Sequence, residues 1–152
     1  MNELYVVIGS DHGGYELKEH IKGYLNMYHI KNDDIGCRTT LQSCDYPDIA
    51  QILCNELLNE TNKKFANINH YGILICGTGI GISMAANKIK GIRCALCVDE
   101  YTARMSRNHN NANVLALGGR TIGVETAKAT VNTFLNEKFE GGRHARRIAK
   151  IE

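Results

Sequence analysis

The chain has 152 residues, 43% of them hydrophobic and 22% charged, with 18 Lys plus Arg against 16 Asp plus Glu and a formal net charge of +2. That composition excludes a disordered chain, and a balance so near neutrality excludes a nucleic-acid or membrane surface built on overall basic charge. The length suits one domain, 1–152, with a real hydrophobic core, so any anionic ligand must be held by local basic side chains.

Residues 1–8 carry no basic leader, and no apolar run nears the roughly 18 residues of a membrane-spanning helix, so a cytosolic location with no membrane segment is expected. The short apolar run 4–8 predicts a buried parallel strand ending in Gly9-Ser10-Asp11-His12-Gly13-Gly14. Leu17, Ile21, Tyr24 and Leu25 then recur at helical spacing, predicting an amphipathic helix over 15–27. A weaker, polar stretch at 28–35 predicts a short exposed or edge strand. Pro47 suits the first position of a helix, whose apolar residues Ile49, Leu53, Leu57 and Leu58 carry it toward Lys64. The polar stretch 62–70 predicts a fraying end or surface loop.

A second apolar strand, 71–76, is broken by Gly77-Thr78-Gly79-Ile80-Gly81, with a helix expected at 83–89 and a stop at Gly91. A strand at 92–98, a helix at 99–106 and a strand at 113–117 follow, ending at Gly118-Gly119. Val124, Ala127, Val131 and Phe134 mark a clear helix, and a short basic helical segment is expected at about 142–151. This strand–helix alternation predicts an α/β protein: a three-layer, Rossmann-like fold with a mostly parallel five-stranded sheet and a ligand beyond the strands' C-terminal ends.

The turn 77–81 lets a ligand approach backbone N–H groups closely, and a following helix would aim more of them at an anion. The same glycines also serve a ligand-free strand-to-helix turn. The spacing is neither a dinucleotide fingerprint nor a P-loop. Cys76, immediately before the turn, is either a small buried hydrophobe or a thiol whose thiolate the glycine N–H groups stabilise.

The six cysteines, Cys37, Cys44, Cys54, Cys76, Cys94 and Cys97, read as reduced thiols, because a chain of this length needs no covalent staples. Cys94 and Cys97 lie within an apolar run and read as core rather than as a redox or metal pair. Asp11 and His12 after the first strand, with His109 and Asn110 before the fifth, either cap turns or meet above the sheet as one acid–base site. No compact His/Asp set points to a metal. Arg143 and Arg147, four residues apart, form a solvated tail or a phosphate clamp to which Arg120 adds a third guanidinium.

Taken together, Gly9-Ser10-Asp11-His12-Gly13-Gly14, Cys76-Gly77-Thr78-Gly79-Ile80-Gly81 and Ser106-Arg107-Asn108-His109-Asn110 resemble type B ribose-5-phosphate isomerase. The blocks 113–119 and 141–147 extend the likeness over nearly the whole chain, in order. The resemblance implies a cytosolic sugar-phosphate isomerase needing no cofactor or metal. It also implies a homodimer with its sites between subunits, some relatives pairing dimers into tetramers. Carried onto this chain, it makes Cys76 the proton-moving base. Thr78, with the N–H groups of Gly77, Gly79, Ile80 and Gly81, stabilises the enediolate. Asp11 and His109 open the furanose ring, and Asn110 and Tyr46 contact sugar oxygens. His12, Arg143 and Arg147 hold the phosphate, and Arg120 reaches it across the dimer. A branch of the family places a glutamate where this chain has Ile82, which assigns it to the cysteine branch. A six-carbon sugar phosphate such as allose 6-phosphate is the alternative substrate, and a non-catalytic phosphosugar-binding module the alternative class.

Overall fold

The structure is a computed structural model that describes residues 3–61 and 63–152. Met1, Asn2 and Asn62 fall outside it, and with them the start of the segment expected to carry no leader and one position of the helix and polar stretch expected around 62. Five strands, β1 (Leu4–Ser10), β2 (Lys31–Asp34), β3 (Asn69–Cys76), β4 (Cys94–Leu96) and β5 (Val114–Gly118), form one sheet of order β2-β1-β3-β5-β4 among the described residues. Every pairing in it is parallel. Helices α1 (Tyr15–Met27), α2 (Tyr46–Leu58), α3 (Ile80–Asn87), α4 (Glu100–Asn108), α5 (Val124–Asn136) and α6 (Arg143–Ala149) complete the chain.

The central strands are buried on both faces, and the two-residue alternation of each strand divides the core. Val6, Ile8, Ile73, Ile75, Leu115 and Leu117 meet Leu17, Ile21 and Leu25 of α1, Ala103 of α4 and Ala127, Val131 and Phe134 of α5. On the other face Val7, Leu74, Cys76, Val114 and Ala116 meet Ile49, Leu53 and Leu57 of α2 and Ile82 and Ala86 of α3. The chain steps from β1 outward to β2, then back across β1 to β3. Strand order therefore reverses between β1 and β3, and the crevice of a doubly wound sheet opens at their C-terminal ends.

The expected elements are all present, with shifted ends. The strand expected at 28–35 shortens to Lys31–Asp34 because α1 closes on a left-handed His29 (φ 56), with Ile30 N–H donating to the Leu25 carbonyl. The helix expected to reach Lys64 ends at Leu58, where Asn59 turns extended (ψ 92) and its side chain accepts the Thr61 N–H. Pro47 is its second residue, not its first. The strand expected at 92–98 keeps only Cys94–Leu96, because Val98 and Asp99 donate their N–H groups to Thr102 Oγ1 in the cap of α4. The helix expected from Ser83 starts one turn earlier, at Ile80.

One expectation is overturned. Cys37 and Cys44 are joined by a disulfide, with Cα atoms 6.3 Å apart, so four of the six cysteines are free. The polar segment after β2 folds back on itself and brings two residues seven apart within bridging range, which chain length alone does not reveal.

Lys18 anchors that segment. Its side chain is fully buried, and Nζ donates to both Asp34 oxygens at 2.8 Å, to the Gly36 carbonyl at 2.7 Å and to the Cys37 carbonyl at 2.6 Å. Burial pushes the Asp34 carboxyl up, but hydrogen bonds from Lys18, Lys22 and the Gly36 N–H outweigh it and hold it below the usual carboxylate range. A depressed carboxyl pKa gives stability that is present above the unfolded value and lost as pH falls through the folded one. Lys18→Ala should leave Asp34 with only Lys22 and the Gly36 N–H, strand the carbonyls of Gly36 and Cys37, and cost about 3 kcal/mol of stability. Urea melts across the acidic range should show both this loss and a shrinking of Asp34's share of the acid-side decline.

Candidate functional site

The loops after β1, β3 and β5 leave the same edge of the sheet. Parallel pairing sets Ser10 opposite Ile75 and Cys76 opposite Gly118, so Asp11, Cys76 and Gly119 emerge side by side. The Asp11 N–H donates to the Ile75 carbonyl at 3.1 Å, the Gly119 N–H to the Cys76 carbonyl at 2.8 Å and the Arg120 N–H to the Gly77 carbonyl at 2.9 Å. Asp11 is 7% exposed and its Oδ1 accepts the Gly14 N–H at 3.1 Å, capping a 3-10 turn at His12–Gly14.

Cys76 is 4% exposed, and its Sγ accepts the Gly79 N–H at 3.1 Å. Gly79 is the N-cap of α3 with φ +78, a conformation that disfavours any side chain. A Cβ there would meet Leu96 Cδ1 at 2.5 Å and the Leu117 backbone at 2.9 Å. The turn thus passes tightly over the sheet and points the first N–H groups of α3 outward, where the helix has no carbonyl to receive them. Exposed Thr78 accepts the Ile80 N–H at 3.2 Å, Tyr46 lies over Gly81, and Arg120 is exposed beside Gly77.

Asp11, His12, Cys44 and Tyr46 line a cavity of about 440 Å³ beside this turn. His12 Nδ1 accepts the Cys44 N–H at 3.2 Å, so the bridged segment forms one wall. Wider depressions of about 490, 540 and 770 Å³ lie elsewhere, against Phe65 and His70, against the first turns of α4 and α5, and against Tyr71 and Arg107. The first and last adjoin neither a glycine turn nor a helix N-terminus, and Asp99, Glu100 and Glu125 line the second with carboxylates that repel an anion, so the smaller cavity is the better place for chemistry on an anion.

Of the remaining expected site residues, none joins this group within one chain. His109 caps the C-terminal end of α4, and Asn110 follows it. Arg93, just before β4, donates Nε to the Asn110 carbonyl at 3.1 Å. Both residues therefore sit where β4 and β5 begin, the opposite edge of the sheet from Cys76. The expectation that His109 and Asn110 meet Asp11 and His12 above one sheet fails for a single chain: a helix that starts after one strand's end must return to the next strand's start. α6 lies at that far edge too, since its His144 stacks on His109 at 4.1 Å and Glu152 pairs with Arg93. Arg143 and Arg147 are exposed there.

Three charged groups escaped the sequence reading. Lys18 is masked by its place on an amphipathic helix among Glu16, Glu19 and Lys22, where one more lysine reads as solvated. Arg107 is 5% exposed, donates to the Ala112 carbonyl and Tyr71 hydroxyl, and lies over the Tyr71 ring at 4.7 Å, a structural role. Glu140 faces both His109 and His144, and its only sequence signal is its position before the Gly141-Gly142 turn. Burial pushes the thiols of Cys54 (up to about 12), Cys94 and Cys97 up, so those three remain protonated.

A parallel sheet with an anion cradle at its switch point defines a doubly wound α/β protein built to hold a negatively charged small molecule. A sequence profile described as Ribose/Galactose Isomerase matches residues 6–151, and the chain belongs to that family. It is similar to a probable ribose-5-phosphate isomerase B of Mycoplasma pneumoniae, 44% identical over 96% of this chain and 91% of that one. Among solved structures it resembles a ribose 5-phosphate isomerase from Thermotoga maritima, with TM-score 0.89 and 47% identity over 97% of this chain and 96% of that one. It also resembles ribose-5-phosphate isomerase B from Mycoplasma genitalium with bound ribulose-5-phosphate, with TM-score 0.88 and 41% identity over 99% and 95% of the two chains.

Gly79→Ala should place a side chain against the Leu117 backbone and tilt the cradle. Steady-state assay should then show turnover reduced on the order of a hundredfold, with circular dichroism still reporting the α/β fold.

Proposed function

We propose that this chain, as one catalytic domain, interconverts ribose 5-phosphate and ribulose 5-phosphate through an enediolate. The observation that carries the proposal is Cys76: its sulfur lies under the Gly79 N–H at the mouth of α3, and Asp11 leaves the neighbouring strand with its N–H on the Ile75 carbonyl. A nucleophilic or basic sulfur and a bank of N–H donors at one point suit a step in which a proton leaves carbon while negative charge grows on the adjoining oxygens. Membership of the isomerase family and the likeness to the ribulose-5-phosphate complex support the same chemistry.

In the proposed sequence, Asp11 and His109 assist opening of the furanose to the free aldehyde. Cys76 takes the C2 proton, and the electron pair moves into the C1–C2 bond as the carbonyl oxygen becomes an enediolate oxygen. Thr78 and the N–H groups of residues 77–81 bear that charge. The proton returns to C1 while one passes between O1 and O2, giving the ketose. Oxidation at one carbon balances reduction at its neighbour, so the step requires no redox cofactor. Tyr46 and Asn110 orient the hydroxyls, and His12, Arg120, Arg143 and Arg147 hold the phosphate. Phosphate binding raises turnover only to the extent that it aligns the reacting carbons.

We further propose a homodimer whose sites each combine the two edges. The Cys76 cradle of one subunit receives His109, Asn110, Arg143 and Arg147 from the other, since each chain displays both halves without joining them. The location proposed is the cytosol; no helix among the described residues is long and apolar enough to cross a membrane. The Cys37–Cys44 bond is the one feature that a reducing compartment would open.

Cys76→Ala should lower turnover of ribose 5-phosphate by a factor on the order of a thousand while a phosphorylated sugar analogue still binds, as calorimetry would register. Near-normal turnover of the folded variant would remove Cys76 as the base. Shared sites are tested separately by unfolding Cys76→Ala together with His109→Asn and refolding the mixture. Random pairing in a twofold dimer should restore about a quarter of the native activity, whereas sites contained within one chain should restore none.

A further inference from the structure

His144 is 5% exposed, and its Nε2 is buried with no hydrogen-bond partner among the described residues. An orphaned polar atom in a folded interior costs about 1–3 kcal/mol, so its retention calls for a reason. Its ring lies flat on His109, with centroids 4.1 Å apart and planes 10° from parallel. Glu140 Oε2 stands 3.4 Å from His144 Nε2 and 4.0 Å from His109 Nε2, within reach of either ring by a small side-chain rotation.

The frame around this trio is firm. The Glu140 N–H donates to the Asn108 carbonyl at 3.0 Å, and Asn108 Nδ2 donates to the Lys138 carbonyl at 2.7 Å and to Glu137 Oε2 at 3.1 Å. The His144 N–H donates to the Gly141 carbonyl at 3.1 Å. The segment before α6 is thus bolted to the last turn of α4, whose C-cap is His109.

These atoms are also a His/Glu grouping within 4.8 Å, the sort that holds a metal ion. Near-parallel stacking sets the two ring nitrogens side by side, whereas a tetrahedral ion needs donors that converge on one point. Proton handling fits that geometry better. Two stacked imidazoliums repel, so one carboxylate serves one charged ring at a time. Burial, then the charges of His109, Arg143 and Arg147 against the opposing pull of Glu140, hold His144 below the usual histidine range and keep it the neutral member.

We propose that His144 and Glu140 are positioning residues for His109. His144 is the stacked platform that fixes the ring plane, and Glu140 is the acceptor that holds one ring nitrogen and leaves the other directed at the sugar. The proposal rests on His109 acting in ring opening. Neither positioning residue touches the sugar or the Cys76 proton transfer, so they serve the first step and not the second.

Two assays separate the steps. Turnover of ribose 5-phosphate requires ring opening, whereas exchange of a C1 hydrogen of open-chain ribulose 5-phosphate into D₂O requires only Cys76 and the cradle. Glu140→Gln, an exposed and nearly isosteric change, should lower ribose 5-phosphate turnover at least about tenfold with KM and C1 exchange within about twofold. His144→Ala should do the same, and Glu140→Asp should recover part of the loss by keeping the charge. His109→Asn is the reference. If His109→Asn turns over ribose 5-phosphate normally, the ring-opening role falls and the positioning role with it. If His109→Asn is impaired while Glu140→Gln and His144→Ala match the native enzyme, the positioning role alone falls. Equal loss of turnover and exchange in Glu140→Gln would also overturn it, since that pattern marks a damaged site and not an unpositioned histidine.

Discussion

Parallel pairing dominates this molecule. When every strand runs the same way, every strand-to-helix loop leaves one edge of the sheet and every return leaves the other. Asp11, Cys76 and Arg120 are of the first kind; His109, Asn110 and the arginines of α6 are of the second. No change of rotamer brings the two sets together, because the full length of β5 separates them. The proposed homodimer meets that constraint without any change of fold: two chains placed edge against edge about a twofold axis would make two sites from one interface.

Within the cradle, the proposed chemistry rests on a backbone and not on a charged side chain. Gly79 holds a left-handed turn against Leu117, and that turn fixes the Cys76 sulfur beneath an N–H group at 3.1 Å. Fixed donors of this kind cost no reorganisation when charge develops, which is where electrostatic catalysis gains most. Of the other free thiols, Cys54 and Cys97 are buried and Cys94 is half-buried, and Cys97 faces the hydroxyls of Ser106 and Thr102 in place of a backbone N–H. Four free cysteines therefore differ in capacity by surroundings alone.

The segment between β2 and α2 shows how a buried charge can organise a wall of the site. Lys18 leaves water completely, and it does so because Asp34 and two carbonyls meet it at once. That knot ties the start of the bridged segment, whose end gives an N–H to His12 and leads into Tyr46. Polar residues with little intrinsic structure are thereby held next to a cavity that a sugar could enter.

The order and type of the elements were written in the chain: apolar runs of strand length, helical spacing of leucines and isoleucines, and glycines where strands end. The glycine turn after Cys76 and the paired arginines were legible for the same reason, since each is a local pattern with a local physical meaning. Element ends were less so, because His29, Asn59 and Thr102 decide them through caps that compete with propensity by single hydrogen bonds. Contacts between distant segments were not legible at all. The burial of Lys18, the stacking of His144 on His109 and the placing of Cys76 and His109 at opposite ends of the strands all depend on which segments become neighbours, as the Cys37–Cys44 bond depends on how one loop folds back, and neighbourhood is a property of the packed chain that periodicity does not encode.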